Sequence, residues 1–302
     1  MERVRARAPR RGIAVAALLL AQLACAGLDA AAPAPALWRV RDADSELFLF
    51  GTFHLLPRDV DWRTPAFEDA MRAATTTWTE ADVSSPAARA EVAEAVRRHG
   101  RNPDGVTLSV LLGPERAARL RALAGELGLD ADRLEGVRPW LAVAVLMQAA
   151  MAREGFEAER GVDVAVERMA REEGDAIAHF ETASAQIGMF ASLSLGELLA
   201  DFDRQVGELD DFASSSSDML RAWRGGDTAA LDASLVRPMR EEAPAAYRAL
   251  IVDRNARWTE RLVELLAGDG SAFVAVGAAH LVGPDGLPER LRRAGFEVER
   301  VQ

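Results

Sequence analysis

Short apolar runs near the two ends of the chain enclose a long middle in which apolar positions recur at helical spacing. Leu37 to Arg41 and Glu46 to Phe50 are joined by the polar stretch Asp42-Ala43-Asp44-Ser45, which predicts a strand hairpin. Thr64 to Ala73 has helical periodicity, and the β-branched and aromatic run Thr75 to Glu80 predicts a strand. From Pro86 to Glu173 the pattern is almost wholly helical. Its most apolar stretch, RPWLAVAVLMQAAM, predicts a buried helix starting at Pro139, since proline suits the first turn. Asp175 to Phe180 reads as a strand after Gly174, and Thr182 to Ala267 returns to helices with a break at Gly225-Gly226-Asp227. The serine run Ser214 to Ser217 reads as a helix cap or loop. Ala272 to Val276 and Phe296 to Val301 close the chain as strands. Strands from both ends must pair, so residues 37–302 are expected to form one α/β domain. Its central sheet is mixed or mostly parallel, with a large helical region in the middle of the chain.

The first 26 residues follow a different rule. MERVRARAPRR is basic, GIAVAALLLAQLA is apolar but shorter than the roughly 20 residues that span a bilayer, and small residues follow. This is the pattern of a secretory signal peptide, with cleavage expected after Ala26. Ala24 before Cys25 also suits a lipoprotein signal, although Gln22 stands where such a signal carries an apolar residue. A periplasmic or secreted protein is expected, with a lipid anchor on Cys25 as the variant. Residues 27–36 form an Ala/Pro-rich leader.

Composition narrows the partners. The 302 residues are 49% hydrophobic and 27% charged, ordinary for a globular protein. All 36 basic residues are arginine, and the formal net charge is −11. Removing residues 1–26 leaves 31 basic and 46 acidic side chains, a net charge near −15. Nucleic acid is therefore not an expected partner, because phosphate binding needs a basic footprint. Cys25 is the single cysteine, so a processed chain without it has no disulfide, thiolate ligand or cysteine nucleophile.

The candidate chemistry sits where strands end. FLFGTFHLLP carries Gly51 and His54, and FVAVGAAHLVGP repeats the spacing with Gly277 and His280, in a chain with only four histidines. The Thr75 strand runs into Glu80 and the Asp175 strand into Glu181. If these four strands lie parallel, two imidazoles and two carboxylates meet at the carboxyl edge of the sheet, where open α/β sheets bind ligands. Two histidines and a carboxylate are a recurrent donor set for a divalent metal. Each residue also has a plainer reading: a hydrogen-bonded structural histidine, or a carboxylate at a helix N-terminus. His99 ends a helix and His179 lies within a strand, so neither is a candidate. No Gly-x-Ser-x-Gly elbow, P-loop, GxGxxG or HExxH pattern occurs.

These residues resemble the TraB/GumN family, which includes the TIKI proteins. The likeness runs through Gly51-Thr52-Phe53-His54, Glu80, Gly161-Val162-Asp163, Phe180-Glu181-Thr182 with Gln186, Arg254-Asn255 with Trp258, and VGAAHLVGPDGL. It implies a fold like those of the ChaN and EreA proteins and a site of His54, His280, Glu80 and Arg254. It further implies a metal-dependent hydrolase, on the pattern of a peptidase using Mn²⁺ or Co²⁺. In that scheme His54, His280 and Glu80 hold a divalent metal (Mn, Co or Zn) and Glu80 or Glu181 serves as general base. Arg254 supports the negative charge of the intermediate, and the substrate is a peptide or other small molecule. The alternative is a non-catalytic periplasmic protein that binds haem or a peptide through the same histidines.

Overall fold

Six strands order as β4-β3-β5-β2-β1-β6 in one sheet. They are β1 (Leu37–Arg41), β2 (Glu46–Thr52), β3 (Thr76–Thr79), β4 (Ala176–His179), β5 (Ser271–Gly277) and β6 (Glu297–Arg300). The computed structural model describes residues 33–82 and 84–302. The predicted signal peptide, Cys25 and most of the predicted leader lie outside the described residues. β4, β3, β5 and β2 run parallel, and β1 runs antiparallel to both of its neighbours. The sheet is thus mixed, with the parallel strands together on one side.

The two central strands are buried over almost their whole length, which explains why both read as continuous apolar runs. Alternation of side chains divides them between two cores. Phe48, Phe50, Phe273 and Ala275 face α1 (Pro65–Ala73), while Leu47, Leu49, Val274 and Val276 face the opposite side. The expected hairpin between β1 and β2 is present. Its turn is tied by the Asp42 carboxylate, which accepts from the Ser45 backbone N–H at 3.0 Å.

Between β3 and β5 lie α2 (Pro86–His99), α3 (Leu108–Glu126), α4 (Pro139–Arg153), α5 (Val162–Glu173), α6 (Ala183–Ser192), α7 (Leu195–Glu208), α8 (Phe212–Arg224) and α9 (Asp253–Leu266). α10 (Leu287–Arg293) follows β5. α5 packs its Val162, Val166 and Ala170 on the first core, and α9 packs Trp258, Leu262 and Leu266 on the second. α3, α4 and α7 enclose a third core of their own around Leu120, Leu146 and Phe202. α4 begins at Pro139, as the periodicity predicts.

One sequence expectation is corrected. Ser214 to Ser217 form neither a cap nor a loop but lie inside α8. The hydroxyls of Ser215 and Ser216 donate to the carbonyls of Phe212 and Ala213, one turn back, so the helix absorbs the groups that would otherwise compete with it. α8 stops at the expected break, where Gly226 adopts φ of +64°, a left-handed conformation suited to glycine. Among the described residues no helix is long and apolar enough to cross a membrane.

Candidate functional site

Because β2, β5, β3 and β4 are parallel, their carboxyl ends share one edge, and the side chains that follow them converge there. β2 pairs with β5 so that Thr52 lies beside Gly277 and Gly51 beside Val276. The two Gly-x-x-His stretches are therefore one residue out of step, and their histidines meet different surroundings. His280 is buried, at 4% exposure, whereas the His54 side chain is 58% exposed.

The His54 loop is held from several sides. Trp223 Nε1 donates to the Gly51 carbonyl at 2.8 Å, and the Val162 N–H donates to the Phe53 carbonyl at 2.9 Å. Gly161 comes so close that a Cβ there would stand 2.3 Å from the His54 carbonyl oxygen, so glycine is needed for that approach. Asp163, on the first turn of α5, receives Thr52 Oγ1 on one oxygen at 2.7 Å and His54 Nδ1 on the other at 2.8 Å. The buried Asp163 carboxylate raises the His54 pKa to about 9, against the opposing effect of desolvation. His54 Nε2 then faces the open rim, and no described residue shares a hydrogen bond with it.

His280 sits in a 3₁₀ turn just beyond β5, and its state follows from its neighbours. Asn255 Nδ2 donates to the carbonyls of His280 and Asp285, at 3.1 and 2.7 Å. The Asn255 amide oxygen is thereby left to accept from His280 Nδ1 at 2.7 Å. This fixes the tautomer and leaves a lone pair on Nε2. Arg254 Nη1 donates to that lone pair at 2.9 Å. Burial, together with the adjacent Arg254 charge, pushes the His280 pKa down to about 3, although Glu80 opposes the shift. His280 is therefore a neutral acceptor.

Glu80 and Glu181 are also brought in, through backbone bonds that continue the β3–β4 pairing past the strands, with the Glu181 N–H donating to the Glu80 carbonyl at 2.9 Å. Glu80 Oε1 accepts from the Gly277 N–H at 2.7 Å, and its Oε2 accepts from Arg254 Nη2 at 2.5 Å and Gln186 Nε2 at 3.2 Å. Burial alone would raise the Glu80 pKa. His280, Arg254, His54 and the Gly277 N–H outweigh it and hold the pKa down to about 2. Glu181 accepts from Arg254 Nε at 3.0 Å and from Arg257 at 3.2 Å. It does not cap α6; Thr182 does so, with its hydroxyl accepting from the Ala185 N–H.

Arg254 enters from α9, which a π-helical turn at Arg248–Val252 precedes. The inward stripe of α9 runs Leu266, Leu262, Trp258 and then Arg254 with Asn255, so its last turn before the rim is polar. Trp258 floors the site, with its ring 4.5 Å from that of His280 and 4.6 Å from the Arg254 guanidinium carbon.

Gly277 lies at the centre. A Cβ placed on it would be 3.0 Å from Glu80 Oε1, 3.5 Å from His54 Nε2 and 3.8 Å from His280 Cδ2. Those groups frame a small cradle that only a missing side chain keeps open. Beside Glu181 a cleft of about 430 Å³ opens toward α2 and α6, lined by Asp82, Glu91, His179, Phe180, Glu181 and Thr182 among others.

Two imidazoles and a carboxylate have the right chemistry for a divalent ion, but as arranged they do not fit one. The His280 Nε2 lone pair is engaged by Arg254, and both Glu80 oxygens accept hydrogen bonds. Among the described residues no group of three His, Cys, Asp or Glu has the arrangement of a cation site.

Position at strand ends points to His54, His280, Glu80 and Glu181, and the fold joins them to Arg254. It adds Asp163, Asn255 and Gln186 as partners of those groups. The signal for Asp163 and Asn255 is helical phase: each lies on the buried stripe of its helix, where a polar side chain needs a partner. His179, set aside from the sequence, hydrogen-bonds Thr79 Oγ1 at 2.8 Å through its Nδ1 and lines the cleft.

Comparison with known proteins agrees with the likeness in the motifs. The chain is 25% identical over 262 residues to a protein of Escherichia coli (strain K12) named "Uncharacterized protein YbaP", covering 85% of this chain and 92% of that one. A protein of the same name from Shigella flexneri is 25% identical over 248 residues, covering 81% and 87%. No solved structure matches. The model of the TraB/PrgY/gumN family matches residues 36–300, and the chain belongs to that family.

Proposed function

We propose that the rim is the catalytic centre of a hydrolase acting on a peptide or another small acyl substrate, in a periplasmic or secreted protein. The observation that carries this reading is the His54–Asp163 pair, whose free Nε2 faces the Gly277 cradle. An imidazole oriented through Nδ1 by a buried carboxylate is a general-base arrangement. In its neutral form His54 Nε2 takes a proton from water in the cradle, and Asp163 supports the imidazolium that results. Arg254, whose N–H groups meet Glu80, Glu181 and His280, holds those side chains together at the rim. Glu80 and Glu181 keep the guanidinium in place, and the cleft beside Glu181 receives the rest of the substrate.

A divalent ion would add Lewis-acid activation of the water, and that version requires Arg254 to leave His280. The test is cleavage of a peptide and ester library by wild type, His54→Ala and Asp163→Asn, each with EDTA and with added Mn²⁺, Co²⁺ or Zn²⁺. Cleavage that persists in EDTA and disappears in His54→Ala supports the base mechanism. Cleavage that needs an added ion moves the reading to the metal version. No cleavage in any condition, with a Soret band on haem titration that His54→Ala removes, replaces both with a binding protein.

A further inference from the structure

The guanidinium of Arg254 lies among three donors that would otherwise suit a transition metal. Nη2 meets Glu80 Oε2 at 2.5 Å and Glu181 Oε2 at 3.0 Å, and Nη1 meets the His280 Nε2 lone pair at 2.9 Å. Glu80 Oε1 is 3.8 Å from that same nitrogen. Two carboxylates and an imidazole, with Asn255 behind the ring to fix its tautomer, make up the donor chemistry and outer support of a zinc or cobalt site. All three side chains are 10% exposed or less, and the Trp258 ring closes one side. Two carboxylates in such a place need a positive charge, and the one they have is covalently part of the chain.

We infer that Arg254 is the built-in cation of this trio: it takes the place of a divalent ion among Glu80, Glu181 and His280, and its removal converts them into a metal site. In the wild type an ion entering the trio would stand against a guanidinium and would have to break its bonds to all three donors. Without Arg254 the same donors are left with uncompensated charge, an open lone pair and the space the side chain vacates. The inference deepens the reading of the rim given above. Its measurement is ion binding rather than turnover, so an inactive rim and a metal-accepting trio are told apart.

The experiment is calorimetric titration of Zn²⁺ and Co²⁺ alone into the purified wild type, Arg254→Ala and Arg254→Ala/His280→Ala. The expected result is one equivalent bound at least about tenfold more tightly by Arg254→Ala than by wild type, with a visible Co²⁺ absorption spectrum, and loss of that equivalent in the double variant. The inference is overturned if wild type binds the ion as tightly as Arg254→Ala and loses it on His280→Ala substitution, or if Arg254→Ala gains no affinity. A second measurement needs no folded variant. The ¹⁵N signals of His280 in wild type should keep their Nδ1–H tautomer pattern in excess Zn²⁺, and a zinc-induced shift of Nε2 would equally overturn it.

Discussion

Arg254 donates a hydrogen bond from Nη1 to Nε2 of His280 across 2.9 Å, so a permanent cation rests on an imidazole that must stay neutral to accept it. The pair is compatible with one protonation state only. A proton on Nε2 would remove the lone pair and set two positive charges side by side.

Stability should therefore fall on the acid side of neutrality. His280 has a folded pKa of about 3, below its unfolded value, so the unfolded chain takes up a proton that the folded one refuses. Its contribution is complete above pH about 6.5 and is lost as pH falls toward 3. Glu80, held at about 2, adds a loss in the same direction below pH about 4.3. Urea midpoints measured from pH about 6.5 to pH about 4 should decline, and the decline should flatten in His280→Gln. A level profile in wild type would contradict the assignment.

His54 should titrate at the other end. Its pKa of about 9 rests chiefly on Asp163, so Asp163→Asn should return it toward the ordinary value near 6.5. The four histidine signals make this a direct NMR titration. The sign for stability is opposite to that of His280: the His54–Asp163 pair contributes below pH about 6.5 and its contribution fades as pH rises through 9. Hydrolysis that uses neutral His54 as a base should rise with pH along a limb near 9, and Asp163→Asn should move that limb downward.

Arg254→Ala leaves two buried carboxylates without their guanidinium. Removing one partner of a buried ion pair costs about 3–5 kcal/mol, and denaturant unfolding should read a loss of that order. Arg254→Lys keeps the charge but cannot span Glu80, Glu181 and His280 with one ammonium group, so it should recover only part. A loss below about 1 kcal/mol for the alanine variant would mean that the pair is screened by solvent in solution.

The two rim glycines should separate function from folding. In Gly277→Ala the added methyl enters the cradle 3.0 Å from Glu80 Oε1 and 3.5 Å from His54 Nε2. Turnover should drop about a hundredfold, with the melting temperature nearly unchanged. In Gly161→Ala the methyl meets the His54 backbone oxygen at 2.3 Å, which only movement of the loop relieves, so stability and activity should fall together. Equal melting losses for the two variants would mean that the cradle is filled by packing rather than left for a ligand.

The strands, the hairpin and the buried helix at Pro139 are legible in the sequence because each is written in neighbouring residues. So are the four strand ends that deliver His54, Glu80, Glu181 and His280. The relation between the two histidines is not. Their identical spacing from glycine suggests equivalent roles, yet the β2–β5 register sets Thr52 beside Gly277, leaving one ring exposed and the other buried. Register depends on strand pairing across more than two hundred residues, which no local pattern records. Ser214 to Ser217 differ from the expected cap or loop for a related reason: the hydroxyls of Ser215 and Ser216 find partners within the helix, an outcome that composition does not reveal.

The place of β5 in the sheet decides when the rim comes into existence. β5 lies between β3 and β2, so before residues 271–277 arrive the β1–β2 hairpin and the β3–β4 pair have no shared edge. A growing chain can form the helical middle around Leu120 and Leu146 early, but the sheet remains in two fragments until residues 271–277 have been made. Assembly of the charged centre is then a late event, delayed by the long loop that must close.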